Sequence, residues 1–471
     1  MFVEGWNSSI GLPIAILFNF VLILISVVLT VHILLHKSDP KSSLMWIALV
    51  WFAPVFGAIF YLLFGINRIS RRAERLQHWE KVGGTKPEHL AELPLSKTPW
   101  DEFRRLVYNV TGLAQSQDND IQIMEGVDQI HASMLSAIDN AENTIALSTY
   151  IFRRNDLGKL VANALVKADE RGVDVKVLLD GVGNGFLRSK TYRQLKSGGV
   201  DVERFLHSFW PWHIPLLNLR NHRKILIVDN KIGFAGSMNL GRVKNLETQF
   251  KISGPVISQL TEAFNRDWSF AGGESLPICF FSPVESPKGN VIARGVESGP
   301  IYKRERLRWI MLGALGTASE KIRIVTPYFI PDRGLLSGLV IAALKGVKVE
   351  IILPKKSNYW FADWASNHQI QDLLRAGCQI YHRSDVFDHS KLITVDGLWA
   401  LIGSSNWDAR SLRLNFEFDI ECESLEFAEK LDQIIDERRS RSLKMNIEDI
   451  NRRSLFHKLR DSCARLLLPY L

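Results

Sequence analysis

Two long apolar runs open the chain. No charged residue occurs between residues 12 and 31, and the run continues through Ile33, Leu34 and Leu35. A second charge-free run covers residues 44–64, with Trp46, Trp51 and Tyr61 in it and Pro54 and Gly57 inside. Each is long enough to cross a hydrocarbon core about 30 Å thick. Only residues 36–43 separate them, so the pattern predicts a transmembrane helical hairpin with spans over 12–35 and 44–64. A cleaved signal peptide would begin with a basic stretch, whereas the residues before Leu12 include Glu4 and no Lys or Arg. Two crossings would put the short N-terminal tail and the large remainder on the same side. Lys37 and Lys41 lie between the runs; Arg68, Arg71, Arg72 and Arg75 follow the second. That count favours a cytoplasmic remainder.

Beyond a polar, Pro-containing stretch over residues 83–100, short apolar runs alternate with helical spacing. Residues 144–152 predict a strand, 157–171 a helix and 173–179 a second, β-branched strand. Strand, helix, strand in this order implies parallel pairing. The pattern then returns. Residues 322–330 match the first strand, and Thr149-Tyr150 is echoed by Thr326-Pro327-Tyr328. Gly172-Val173-Asp174-Val175 is echoed by Gly346-Val347-Lys348-Val349, and each echo lies about 175 residues downstream. A period this long indicates two similar lobes rather than a solenoid. The expected organisation is a hairpin over 1–70, a linker over 71–115, lobes over 116–275 and 276–440, and a basic amphipathic segment over 441–471.

Composition narrows the class only a little. The 471 residues suit two or three domains, and 23% charged residues argue against wholesale disorder. A net charge of +8 suits an anionic partner, either nucleic acid or an acidic lipid surface. Cys279, Cys378, Cys422 and Cys463 are scattered, with no C-x-x-C pair, which argues against a disulfide framework and a cysteine-rich zinc site.

The chemistry lies inside the repeat. The first lobe carries Asn221-His222-Arg223-Lys224, then Asp229, then Gly236-Ser237-Met238-Asn239. The second carries Asp388-His389-Ser390-Lys391, then Asp396, then Gly403-Ser404-Ser405-Asn406, at identical internal spacing. Alternation on a strand would put each His and Lys on one face. Two lobes would then pool two imidazoles, two ammonium groups and the amides of Asn239 and Asn406. Lysines and amides suit the non-bridging oxygens of a phosphodiester. One His can attack phosphorus while the other protonates the leaving alkoxide and later deprotonates the incoming hydroxyl. No carboxylate cluster for a divalent ion is evident, so no metal and no cofactor is expected. Asp229 and Asp396 fall where strands meet turns, which leaves a role in the turn as open as a catalytic one.

This duplicated motif resembles that of the phospholipase D superfamily. The chain is most similar there to bacterial cardiolipin synthases, through Tyr61-Leu62-Leu63-Phe64-Gly65, Thr326-Pro327-Tyr328-Phe329-Ile330-Pro331, Asp408-Ala409-Arg410-Ser411 and Asn415-Phe416-Glu417. The resemblance implies an α/β fold of two phospholipase-D-like lobes, each a mixed sheet flanked by helices, behind the membrane hairpin. It implies catalytic roles for His222, Lys224, Asp229, His389, Lys391 and Asp396, with Ser237, Asn239, Ser404 and Asn406 supporting the phosphate. It also implies that Glu417 fixes the tautomer of an active-site imidazole. Glu247, in Glu247-Thr248-Gln249, keeps the family's acidic pattern only in part. By the same resemblance the first-lobe histidine is the nucleophile, and the reaction joins two phosphatidylglycerol molecules with release of glycerol. The expected partner is membrane lipid and not nucleic acid. A different acceptor (water, serine or another alcohol) or a nuclease activity are the alternatives that the motif leaves open.

Aromatic stretches flank both motifs. Phe209, Trp210, Trp212 and Ile214 precede the first; Tyr359, Trp360, Phe361 and Trp364 precede the second. Contact with the lipid interface and capping of the core both fit them. Near the C-terminus, Leu455, Leu459, Leu466 and Leu467 recur at helical spacing among Arg453, Lys458, Arg460 and Arg465, as in an interfacial helix.

Overall fold

The computed structural model describes residues 8–37, 40–65, 98–185, 189–207, 219–241, 244–281, 289–300 and 305–466. The aromatic stretch before the first motif, most of the expected linker and the last five residues lie outside these. The described chain divides into an N-terminal helical unit and a large α/β body.

The N-terminal unit begins with helix α1 (Ser8–His36). Its Ile16–His36 portion, with mean hydropathy 2.6, is long and apolar enough to cross a membrane, and among the described residues it is the one helix that meets that standard. The second apolar run differs from the expected continuous span. It forms α2 (Pro40–Phe52), breaks at Ala53, and resumes as α3 (Pro54–Phe60) followed by a π turn over Tyr61–Gly65. Pro54 is the cause. It cannot donate to the helical ladder, and it holds Ala53 out of the helical region at φ −140° and ψ 71°. The second crossing expected over 44–64 is therefore not supplied by a single helix.

In the body, the α/β organisation expected from the repeat is present twice. In the first half, β2 (Thr144–Thr149), β3 (Asp174–Asp180) and β4 (Asp201–Phe205) pair in parallel. The antiparallel run β6 (Ile225–Val228), β7 (Ile232–Gly236) and β8 (Thr248–Ser253) continues the sheet on the other side of β2. In the second half, β10 (Lys321–Val325), β12 (Lys348–Pro354) and β13 (Gln379–Arg383) repeat the parallel part. There β14 (Leu392–Val395), β15 (Trp399–Gly403) and β17 (Asn415–Glu423) repeat the antiparallel part. β1 (Ser116–Glu125) flanks β8 as β9 (Val291–Ser298) flanks β17, and β1 pairs with β9. The two mixed sheets thus join into one. A separate parallel pair, β11 (Phe329–Ile330) with β16 (Trp407–Asp408), lies within the second half. Each half has its own apolar core, one around Ile145, Val177 and Leu226, the other around Ile322, Ile351 and Ile393. Residues 98–111, expected within a linker, differ: Pro99–Thr111 is a helix, started by a Thr98–Asp101 capping box. Its Phe103 and Val107 lie in the second core, so this segment is structural.

The aspartates of the two motifs occupy matching turns. Between β6 and β7, Asp229 and Asn230 have φ of 50° and 51°; between β14 and β15, Asp396 and Gly397 have φ of 53° and 63°. Two consecutive left-handed residues make the type I′ turn that a short hairpin needs, and Asp, Asn and Gly tolerate them best. Asp229 accepts from the backbone N–H of Glu142, Asn143 and Thr144 at 2.7–3.0 Å. Asp396 accepts from those of Ser319, Glu320 and Lys321 at 2.8–2.9 Å, and from the Ser319 hydroxyl. Each side chain thus ties its turn to the entry of the neighbouring parallel strand.

Removal of either carboxylate leaves three amides to water and costs about 1–3 kcal/mol. Asp229→Ala and Asp396→Ala are expected to lower the thermal midpoint while the folded fraction keeps a kcat close to that of the parent, as read by melting curves and activity below the transition. A loss of kcat of several orders with the midpoint unchanged would give these residues a direct part in the chemistry.

Candidate active site

The segment before each motif histidine leaves its own lobe and pairs with the other. β5 (Arg220–Asn221) runs parallel to Asn415 and Phe416 of β17, and the His222 N–H donates to Phe416 O at 2.9 Å. In the mirror position, Asp388 bridges Leu246, and the His389 N–H donates to Leu246 O at 2.8 Å. The His-x-Lys triplets therefore precede strands β6 and β14 rather than lying in them. Glu417 comes directly after Phe416 in the chain, and Glu247 directly after Leu246. This register sets each imidazole opposite an acid from the other lobe.

The resulting hydrogen bonds cross between the lobes. His222 Nδ1 lies 2.9 Å from both carboxylate oxygens of Glu417. His389 Nδ1 lies 3.0 Å from Glu247 Oε2. With each Nδ1–H donated to a carboxylate, Nε2 keeps its lone pair. Each acid is anchored in turn by the serine of its own lobe's Gly-Ser-x-Asn segment: Ser404 Oγ donates to Glu417 and Ser237 Oγ to Glu247, both at 2.6 Å. The preceding glycines make that reach possible. Gly236 and Gly403 have φ of 148° and 157°, and a Cβ at either would fall within 3 Å of the adjacent strand's backbone.

The lysines fold back onto the histidines. Lys224 Nζ donates to His222 O at 2.5 Å and Lys391 Nζ to His389 O at 2.6 Å. All six groups are buried, with Glu417 fully so. Asn239 and Asn406 are buried beside them in sequence, and among the described residues their Oδ1 atoms have no hydrogen-bond partner. Next to His222 in the chain, Arg223 sits fully buried between Asp267 at 3.2 Å and Glu297 at 3.0 Å, while Asn221 donates to Asp267. In the second lobe Arg438 holds Asp388 at 2.9 Å.

Burial dominates the electrostatics. It lowers the basicity of His222 well below the ordinary imidazole value, and Lys224, Lys391 and His389 add to the effect. Burial lowers His389 too, but there the Glu247 carboxylate opposes it. Desolvation brings Lys224 to about 7 and Lys391 to about 8. The two acids part company. Burial works against the Glu247 carboxylate, yet His389 and Lys391 outweigh it and hold it below the usual range. At Glu417 burial prevails over Lys224 and lifts the carboxyl to about 7. The lysines are thus only partly charged near neutral pH, and a phosphodiester beside them would favour their protonated forms.

The structure gathers these residues into two hydrogen-bonded sets, His222, Lys224, Glu417 and Ser404 in one and His389, Lys391, Glu247 and Ser237 in the other, near enough for their charges to act on each other, and puts Asp229 and Asp396 in the turns. Glu247, which keeps the family pattern only in part, stands in the same relation to His389 as Glu417 does to His222. Sequence reasoning did not reach the aromatic neighbours. Tyr150 lies edge-on to His222 at 5.0 Å between ring centres, and Phe387 lies 6.0 Å from His389, with Tyr328 beside Phe387. The echo of Tyr150 by Tyr328 was the available signal. Asp419 was also missed: it accepts from the Ser405 N–H and hydroxyl, and burial raises it to about 7.

A duplicated α/β body that pools one His-x-Lys from each lobe defines a phospholipase-D-like enzyme. Comparison with known proteins agrees. The family described as "Cardiolipin synthase, PLD-like domain" matches residues 134–268 and 311–439, and "Phospholipase_D-nuclease N-terminal" matches 24–65. The major cardiolipin synthase ClsA of Bacillus subtilis is 33% identical, over 98% of this chain and 99% of its own. The cardiolipin synthase of Clostridium perfringens is 31% identical, over 93% of this chain and 96% of its own. Among solved structures, a phosphatidylserine synthase of Haemophilus influenzae superposes with a TM-score of 0.60 at 14% identity, over 79% of this chain and 100% of its own, a likeness of fold. The chain belongs to the cardiolipin synthase family of phospholipase-D-like proteins, and it is a phosphatidyltransferase.

The buried charges set a pH dependence. In the free enzyme, kcat/KM is expected to fall on the acid side, below the ordinary imidazole value, as His222 protonates. It is expected to fall on the alkaline side as Lys224 and Lys391 lose their protons near 7 and 8. The alkaline limb of kcat should lie higher, because a bound phosphodiester favours the charged lysines. A kcat/KM flat from pH 6 to 10 would contradict this electrostatic reading.

Proposed function

We propose that this enzyme makes cardiolipin from two phosphatidylglycerol molecules and releases glycerol, with the phosphatidyl group carried on His222. The observation that carries the mechanism is the unequal environment of the two crossed His–Glu pairs. His222 is the imidazole held furthest toward neutrality, so its Nε2 lone pair is available to attack phosphorus. His389 faces a carboxylate kept ionised, which favours its protonated form once the anionic lipid has entered. In the first step the N–P bond forms, the bond from phosphorus to the glycerol oxygen breaks, and His389 gives its proton to that oxygen. In the second, His389 takes the proton from the hydroxyl of another phosphatidylglycerol, the new P–O bond forms and the N–P bond breaks. Lys224, Lys391, Asn239 and Asn406 hold the non-bridging oxygens through both steps. Ser237 and Ser404 orient the acids, and Asp229 and Asp396 organise the turns rather than touching substrate. The membrane of residence is the cell (inner/plasma) membrane, with the lobes on its cytoplasmic side. Metal is not required in this scheme, since the lysines neutralise the phosphate.

Purified protein given phosphatidylglycerol alone should yield cardiolipin and glycerol in equal amounts by mass spectrometry; phosphatidic acid as the main product would make water the acceptor. His222→Ala and His389→Ala are each expected to lose about 10²–10⁴-fold or more in kcat with the fold unchanged. The two should differ with a donor whose leaving group needs no proton, such as a p-nitrophenyl ester of phosphatidic acid. His389→Ala should then accumulate a phosphatidyl group on His222, trapped by alkaline denaturing quench. Label on His389 in the parent enzyme, or none on either histidine, would overturn the assignment.

A further inference from the structure

The broken second run does more than fail to span; it turns back. Helix α2 has 13 residues, about 20 Å at 1.5 Å per residue, against about 30 Å of hydrocarbon. The contacts along it give the direction. Ser26 Oγ donates to Val50 O at 3.2 Å, and the Trp51 indole N–H donates to Thr30 Oγ1 at 3.0 Å, so the end of α2 lies beside the middle of α1. Beyond Pro54 the chain reverses. Gly57 lies against Leu49 and Val50 so closely that a Cβ there would stand 2.5 Å from Leu49 O. One helical turn later the Tyr61 hydroxyl is 2.8 Å from His32 Nδ1, and its ring is 5.4 Å from that of Trp46. Tyr61 has therefore returned to within four residues of the end of α1 and to the middle of α2.

We infer that α2, α3 and the π turn form a re-entrant hairpin in one leaflet, and that the chain crosses the membrane once, by α1. The occupant of the hairpin's outer surface is the acyl chains of that leaflet. Phe52 at its tip is 92% exposed, and Met45, Val55, Phe56 and Phe64 also face outward. Gly57 at the crossing point is the small residue that close helix packing in lipid uses. Charge supports the same topology. With two crossings, Lys37 and Lys41 would sit opposite Arg68, Arg71, Arg72 and Arg75. With one crossing and a re-entrant turn, all six basic residues fall on a single face, while no Lys or Arg precedes Lys37. The positive-inside rule then gives a strong cytoplasmic assignment to that face and to the chain beyond Gly65. The N-terminus takes the opposite face, contrary to the same-side arrangement that two spans require. This inference stands apart from the proposed reaction and would survive a change of acceptor.

Cysteine labelling in sealed vesicles of each orientation tests it, with a membrane-impermeant maleimide on the full chain. Cys279 and Cys463 are the exposed native thiols among the described residues, and Cys279 reports the body when Cys463 is replaced by Ser. In a background with Cys279→Ser and Cys463→Ser, Glu4→Cys, Lys41→Cys and Phe52→Cys report the tail, the bend and the hairpin tip. Lys41→Cys and Cys279 should label from one and the same face, Glu4→Cys only from the other, and Phe52→Cys from neither. Lys41→Cys labelled from the face opposite Cys279, with Glu4→Cys on the side of Cys279, would establish two crossings and overturn the inference. Labelling of Glu4→Cys and Lys41→Cys from one face, or of Phe52→Cys from either, would also overturn it.

Discussion

The hydrogen bond from each active-site imidazole to a carboxylate of the opposite lobe is the interaction on which this molecule depends. A histidine whose orienting acid came from its own lobe would make each half self-sufficient. Here neither half holds a finished site. His222 is fixed by Glu417 and His389 by Glu247, and both bonds follow from short strand pairings that carry one lobe's motif onto the other's acid-bearing strand. The continuous sheet through the β1–β9 pair and the placement of Pro99–Thr111 in the second core serve the same end. They keep two duplicated halves in one register to within a hydrogen-bond length.

The energetic consequence is a site that is costly to build. Six ionisable side chains are removed from water, which is tolerable only if each is paired. Serine hydroxyls and backbone carbonyls do the pairing, and desolvation brings the lysines down toward neutrality. An incoming phosphodiester favours the charged form of both lysines, so its binding draws protons into the site. The difference between an ionised Glu247 and a carboxyl raised at Glu417 breaks the symmetry of the duplication, and with it the equivalence of the two histidines.

Much of this was legible in the sequence, because the duplication repeats both pattern and spacing. The parallel strands follow from their β-branched runs, and the motif groups from residue chemistry. The spacing from His to Asp proved to measure the length of one strand plus the start of a left-handed turn. Three features were not legible. Cross-lobe pairing at Leu246 and Phe416 depends on contacts between distant segments, which no local pattern encodes. The helix over Pro99–Thr111 has a clear capping box at Thr98 and Asp101, but its polar neighbours read as linker. The break at Ala53 rests on Pro54, a residue tolerated in lipid helices in general; whether it kinks or reverses the chain is decided by Gly57 and Tyr61, through packing that periodicity cannot show.

A double-mutant cycle on folding stability tests the crossed arrangement most directly, with His222→Ala and His389→Ala each combined with Glu247→Gln and Glu417→Gln. The cross-lobe pairs His222 with Glu417 and His389 with Glu247 should show coupling of about 1.5–3 kcal/mol, the range for a hydrogen bond to a charged group. The same-lobe pairs His222 with Glu247 and His389 with Glu417 should be additive within about 0.5 kcal/mol. Larger coupling within a lobe than between lobes would contradict the account.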